Sequence, residues 1–349
     1  MGSVDPQTVH ALAASAGIGA VRAVAPMAGG ANNRVFRVEA EAGAFLLKSY
    51  FRHPDDPRDR LGTEFAFSRF AWANGVRCVP QPLASDPAAG LGLFEFVFGR
   101  SLQNTVAGEP AVDQAIDFFR TLNHARHDPA AAALPPASEA CFSLDDHFGT
   151  IGRRVDRLKS IAVGAVVDLA AAGYVETELV PAWRQVFATA RAAAAACGLP
   201  LERPLAPAHR CLTPSDFGFH NALLANDGRL RFIDFEYAGW DDPAKLICDF
   251  FCQPAVPAPP QAFDRFAAAV AAAFPDPAVH LARASLLLPV YRVKWACIML
   301  NEFLPVGGSR RAFAGTTAEQ ETRKASQLAK ARTALEIVSP TRAPLRKAA

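Results

Sequence analysis

Residues 215–239 read SDFGFHNALLANDGRLRFIDFEYAG, and the order of polar residues in this stretch decides the fold. Asp216 and Asn221 stand five apart, and Asp234 follows two short apolar runs, NALLA and RLRFIDF, joined across Asn226-Asp227-Gly228. That tripeptide is a hairpin signal, so the chain returns to the end it left and brings Asn221 and Asp234 together. Phosphoryl transfer needs a carboxylate to orient an attacking hydroxyl, and Mg2+ prefers carboxylate and amide oxygens. Asp216 fits the first role, and Asn221 and Asp234 fit the second as metal ligands. Any one of the three alone reads more simply as a turn or strand-end residue. Together, in this order and spacing, they are hard to explain as turns.

Working outward, the whole chain has 349 residues, 51% of them hydrophobic and 20% charged, which excludes a mostly disordered protein and predicts two domains or lobes. Basic residues exceed acidic ones by only two, so no overall basic field favours a nucleic-acid partner. The seven cysteines form no C-x-x-C pair and read as reduced core thiols. The N-terminus has no basic region ahead of its apolar residues. Asp168 and Lys294 interrupt the longest apolar stretches, so no membrane span is expected and the protein reads as cytoplasmic.

The first hundred residues read as strands and turns around one helix. An apolar run before Gly29-Gly30 and the alternating RVFRVEA after it form two strands joined by a tight turn, and AFLLKSY is the next strand. RLGTEFAFSRFAWANGV reads as a helix capped at Asn74-Gly75, and LGLFEFVFG as a further strand. After residue 110 helical periodicity dominates, including LDDHFGTIGRRVDRLKSIAVGAVVDLAA as one helical stretch, apart from the island at 205–240. The absence of β–α alternation over residues 140–200 argues against a doubly wound parallel sheet. The expected fold is α+β, with an N-terminal lobe at 1–98, a helical lobe at 99–338, and a basic, disordered tail at 339–349.

SDFGFHNALL, GRLRFIDFEYAG and the following DDP together resemble the catalytic core of the aminoglycoside phosphotransferase and choline kinase group, and IDFEYAG is especially similar to the choline and ethanolamine kinase form. The resemblance, which spans roughly residues 20–300, implies a two-lobed protein-kinase-like fold, with an antiparallel N-terminal sheet plus helix and a mostly helical C-terminal lobe. It implies ATP and Mg2+ as cofactors and Asp216 as the catalytic residue. It places the turn of Gly29, Gly30 and Asn33 over the nucleotide and Lys48 on the α- and β-phosphates, with Glu64 as the helix glutamate that orients Lys48. It assigns adenine to the main chain of Glu95 and Val97. Two positions depart from the group's pattern: Pro214 and Ser215 stand where His and Gly are usual. That departure is the best support for the competing expectation of a nucleotide-binding pseudokinase or scaffold.

The acceptor side is less defined. Glu236, Trp240 and Asp241 follow the metal-binding Asp234 and can hold either an ammonium or sugar hydroxyls. The resemblance adds Trp295, on a late helix that lines the acceptor cleft in this group. Mixed charge from Arg153, Arg154, Arg157 and Lys294 argues against a polycation site. The expected acceptor is therefore the hydroxyl of a sugar or sugar derivative, ahead of a choline- or ethanolamine-type amino alcohol and then an aminoglycoside.

Overall fold

The computed structural model describes residues 4–27, 33–52, 58–103, 105, 107–304 and 317–336. Gly29, Gly30 and the tail 339–349 lie outside them. In chain order the first elements are α1 (Pro6–Ala16), β1 (Val21–Met27), β2 (Asn33–Ala40), β3 (Gly43–Tyr50), α2 (Arg60–Ala73), β4 (Pro82–Asp86), β5 (Leu91–Glu95), β6 (Gly99–Ser101) and α3 (Glu109–His124). There follow α4 (Leu144–Leu158), α5 (Val166–Tyr174), α6 (Val180–Ala196), β7 (Cys211–Thr213), β8 (Ala222–Ala225), β9 (Leu230–Phe232) and β10 (Gly239–Asp241). The chain continues through α7 (Pro243–Cys252), α8 (Phe263–Ala271), α9 (Pro277–Leu300) and α10 (Thr317–Glu336). Two compact units emerge, Met1–Ser143 with Arg203–Ala284 and Leu144–Glu202 with Ser285–Ala349.

In the first unit, a five-stranded antiparallel sheet runs in the order β1-β2-β3-β5-β4. Alternation along each strand divides its side chains between two faces. Phe36, Val38, Leu47 and Leu93 share one face with Val9 and Leu12 of α1, a helix that the sequence reading had not anticipated. Its start is nonetheless written locally: the Asp5 carboxylate accepts from Gln7 N and Thr8 N, and Pro6 opens the first turn. On the other face Phe94 meets Phe65 of α2 edge to face at 5.9 Å between ring centroids. Because Leu47 faces α1, its neighbour Lys48 faces α2.

The anticipated hairpin is β8–β9, joined on its outer side by β6. A second small ladder pairs β7 with β10, so the chain before Asp216 is hydrogen-bonded to the chain after Asp234. Gly239 is obligatory there, since a Cβ would lie 2.2 Å from the Pro135 carbonyl oxygen and its φ is +157°. Beneath both ladders the phenylalanines form a packed core: Phe217 contacts Phe118, Phe232 and Phe250 at 5.1–5.4 Å, and Phe250 stacks on Phe266 at 4.5 Å.

In the second unit, the stretch read as helical over residues 144–171 is broken. The Asp168 carboxylate accepts from Gly164 N and Ala165 N, which starts α5 afresh after α4 has ended at Leu158. A single π-helical turn, Val175–Leu179, then links α5 to α6. Lys294 is buried with its ammonium over the Tyr291 ring, whereas Arg153 and Arg157 lie on the exposed face of α4. Among the described residues no helix is long and apolar enough to cross a membrane. All seven cysteines are free thiols, but Cys197 is exposed at the end of α6, which corrects its reading as a core residue.

His280 and His209 stack with ring nitrogens 3.1 Å apart, and Arg283, one turn along α9, pairs with the buried Asp242. Burial pushes His280 down to about 4; Asp242 opposes this shift, and His209 and Arg283 reinforce it. A base whose folded value lies below its unfolded value of about 6.5 stabilises the fold fully above that value and loses the contribution as pH falls toward 4. Unfolding free energy should therefore drop by on the order of 3 kcal/mol between pH 7 and 4 from this residue. Denaturant titrations over that range should show a shallower slope for His280→Gln than for the wild type.

Candidate active site

Lys48 is 8% exposed, and its ammonium lies 2.7 and 3.0 Å from the two Glu64 oxygens and 3.1 Å from Asp234 Oδ1. Burial alone would lower the lysine's pKa, but the carboxylates of Asp234 and Glu64 outweigh it and hold the ammonium charged, above its ordinary value. Glu64 lies on the buried stripe of α2 with Leu61, Phe67 and Ala71. Its second oxygen accepts from the Tyr50 hydroxyl at 2.6 Å. Burial pushes the Tyr50 hydroxyl well up, which keeps it a hydrogen-bond donor. The sequence reading missed Tyr50, two residues beyond Lys48 on the same face of β3.

Asn221 and Asp234 flank the open end of the hairpin. Ala222 pairs with Phe232, and Ile233 N donates to the Asn221 carbonyl at 2.9 Å. Asn221 Nδ2 donates to the Asp216 carbonyl oxygen at 3.0 Å and to Asp216 Oδ2 at 3.3 Å. Its Oδ1 is then the atom it can offer a cation. Asp234 has φ +69°, a left-handed conformation that Asp tolerates better than most residues, and its side chain is 37% exposed. Oxygen donors of this kind, both reachable, fit a magnesium ion. Among the described residues, no group of three or more His, Cys, Asp or Glu side chains could hold a metal.

Ser215, where the resemblance expects glycine, takes φ +68°. The loop thus keeps a backbone shape that glycine adopts without strain, held here by Ser215 N donating to Thr213 Oγ1 at 3.0 Å. Behind the loop, the buried Asn123 of α3 donates to the Leu212 carbonyl and accepts from Leu212 N, acting as a strand partner for β7. This anchor was also missed. A polar residue on the buried stripe of an otherwise apolar helix face was the available signal.

The other predicted residues are dispersed. Glu95 ends β5 with its side chain exposed, and Val97 follows outside any strand. Asn33, the first residue of β2, donates to Glu236 at 2.8 Å, and Arg60 lies 3.7 Å from the same carboxylate oxygen. Glu236 is thus buried in contacts within the protein rather than open to an acceptor. Asp241 is fully buried, with Oδ2 on Lys245 at 2.6 Å and Oδ1 accepting from Cys141 N and Asp242 N. That spent carboxylate corrects its reading as a substrate contact. Burial raises the Asp241 pKa, and Lys245 and the backbone donors oppose the shift. Trp240 donates its indole N–H to the Ala131 carbonyl at 2.9 Å. Trp295 lies on α9 in the second unit.

The antiparallel sheet with its buried lysine–glutamate pair, followed by a helical chain that carries Asp216, Asn221 and Asp234 around one hairpin, defines a protein-kinase-like fold. The chain matches the family model described as phosphotransferase enzyme family over residues 23–282, and it belongs to that family. It is a phosphotransferase. Among solved structures, it is similar to a choline/ethanolamine kinase family protein from Mesorhizobium loti, at 20% identity and TM-score 0.54 over 95% of this chain and 99% of that one. Choline kinase LicA from Streptococcus pneumoniae is 13% identical, with TM-score 0.59 over 95% and 98% of the two chains. A spectinomycin phosphotransferase in complex with ADP and spectinomycin is 11% identical, with TM-score 0.59 over 94% and 97%. No curated protein sequence matches the chain.

Ser215→Gly removes the left-handed strain of an L-residue and should raise stability by up to about 1 kcal/mol, read as a higher midpoint in denaturant unfolding.

Proposed function

We propose that the protein transfers the γ-phosphate of ATP to a hydroxyl of a small molecule. The observation that carries this reading is the buried Lys48 ammonium held jointly by Glu64 and Asp234, with Asp216 and Asn221 bonded together in the loop that leads into the same hairpin. Lys48 meets the α- and β-phosphates and is kept oriented by Glu64, itself fixed by Tyr50. The family resemblance assigns Gly29, Gly30 and Asn33 to the phosphates and the main chain of Glu95 and Val97 to adenine. Asp216 accepts a hydrogen bond from the acceptor hydroxyl and aims its oxygen at the γ-phosphorus. Asn221 Oδ1 and Asp234 would hold Mg2+, which would supply charge neutralisation to the transferred group. Catalysis of this kind is chiefly placement and electrostatic stabilisation, so a set of fixed polar groups is sufficient machinery.

For the acceptor, the solved structures of this fold favour an amine-bearing alcohol, since their names specify choline, ethanolamine and spectinomycin. Nothing among them supports placing a sugar first. The charge argument for a sugar also weakens, because Lys294 is buried over Tyr291. The scaffold reading rested on Pro214-Ser215, and Ser215 at φ +68° removes its main support.

Asp216→Asn should lower kcat by about 10²- to 10⁴-fold while leaving Mg2+–ATP affinity within about twofold. Asp234→Asn should weaken Mg2+–ATP binding at least about tenfold, measured by calorimetric titration. Normal turnover by both variants overturns the assignment. An ADP-release screen over choline, ethanolamine, aminoglycosides and sugars at fixed Mg2+–ATP tests the acceptor. Turnover is expected with an amine-bearing alcohol, and turnover with sugars alone overturns that choice.

A further inference from the structure

The loop between Asp216 and Asn221 contains a residue to which the reading above gives no role. His220 Nε2 lies 3.1 Å from Asp216 Oδ1, while Asn221 Nδ2 addresses Oδ2 at 3.3 Å. A carboxylate turns easily about its terminal torsion, so a single hydrogen bond leaves its plane loosely defined. Two donors from different residues, one on each oxygen, define it. The Asp216 side chain is nevertheless 39% exposed, so the carboxylate is held and still reachable.

The imidazole is itself held in place. A Cβ on Gly218 would lie 2.7 Å from His220 Nδ1 and 2.9 Å from Cε1, so the ring occupies the space that only glycine leaves open. The same point is 3.0 Å from Cγ of Gln253. Gln253 is buried, with Oε1 accepting from Ala255 N and Val256 N and Nε2 donating to the Val256 carbonyl. On either side of Gly218, Phe217 and Phe219 are buried against Phe250 at 5.1 and 5.0 Å. Backbone, glutamine and phenylalanines therefore fix where Nε2 points, and it points at Asp216.

We infer that His220 is a positioning residue, which holds the Asp216 carboxylate so that Oδ2 keeps a lone pair turned to the acceptor hydroxyl. The inference rests on the reading of Asp216 as the hydroxyl-orienting carboxylate. His220 acts through its Nε2–H donor and takes no proton from the acceptor. A histidine retained only for packing would affect stability and leave the chemical step alone.

The test uses the full chain with Mg2+–ATP and the best acceptor from the ADP-release screen. His220→Ala should lower kcat about 10- to 100-fold with KM for ATP changed less than about twofold. His220→Gln, whose amide nitrogen reaches the position of Nε2, should recover most of kcat. His220→Asn, whose amide reaches only the position of Nδ1, should resemble His220→Ala. In an Asp216→Asn background, removing His220 should cost nothing further, because the two act as one unit. Wild-type kcat in His220→Ala, equal kcat for the Gln and Asn variants at matched unfolding midpoints, or a full additional loss in the Asp216→Asn background overturns this inference alone. Normal turnover by Asp216→Asn itself overturns the reading of Asp216 and the inference with it.

Discussion

A buried ammonium between two carboxylates sets the constraint on which the site depends. Removing the Lys48 charge from water is expensive, and Glu64 and Asp234, each within about 3 Å, offset the cost. Those carboxylates come from α2 and from the turn after β9, so strand, helix and hairpin must hold one register for both to reach the ammonium. Truncating Lys48 would leave the Glu64 carboxylate buried without its cation, a larger penalty than the pair's own net gain. The triad therefore contributes more to specifying an arrangement than to stability, and that arrangement is the one the proposed phosphate-binding role of Lys48 needs.

Apolar packing does the corresponding work around Asp216. Phe217 and Phe219 face inward and Asp216, His220 and Asn221 face each other, so the loop is anchored by its aromatic residues and presents its polar ones. Asn123 extends the anchoring to β7 by supplying the hydrogen bonds that a neighbouring strand would supply. The close approach of Gly239 to Pro135 does the same for β10. Rigid supports of this kind are what a placement-based mechanism requires, because an error of 1 Å at the reacting oxygen costs about a hundredfold in rate.

The hairpin, the alternating strands and the capped helix before Asn74-Gly75 were legible because each is encoded within a few neighbouring residues by turn chemistry, pleat alternation or capping. The placing of Asn221 near Asp234 was legible for the same reason, since a short hairpin returns the chain, and Asp216 stands five residues before Asn221 in one loop. The helix α1 was equally local, with Asp5-Pro6 at its start and Gly17 at its end, and was overlooked rather than hidden. The break between α4 and α5 was harder to see, because the apolar pattern runs through it and only the Asp168 cap marks it.

By itself the sequence determined the antiparallel N-terminal sheet, the hairpin with its three polar residues and the family resemblance, all of which depend on short-range spacing. Tertiary structure alone decided what each carboxylate is spent on. Asp241 and Asp234 look alike along the chain, yet one is closed around Lys245 and the other remains reachable beside Lys48. Glu64 and Glu236 likewise differ from solvated glutamates only through partners 16 and 203 residues away. Burial and pairing of a charge are properties of the space around it, and that space is assembled from segments with no local signature of their meeting.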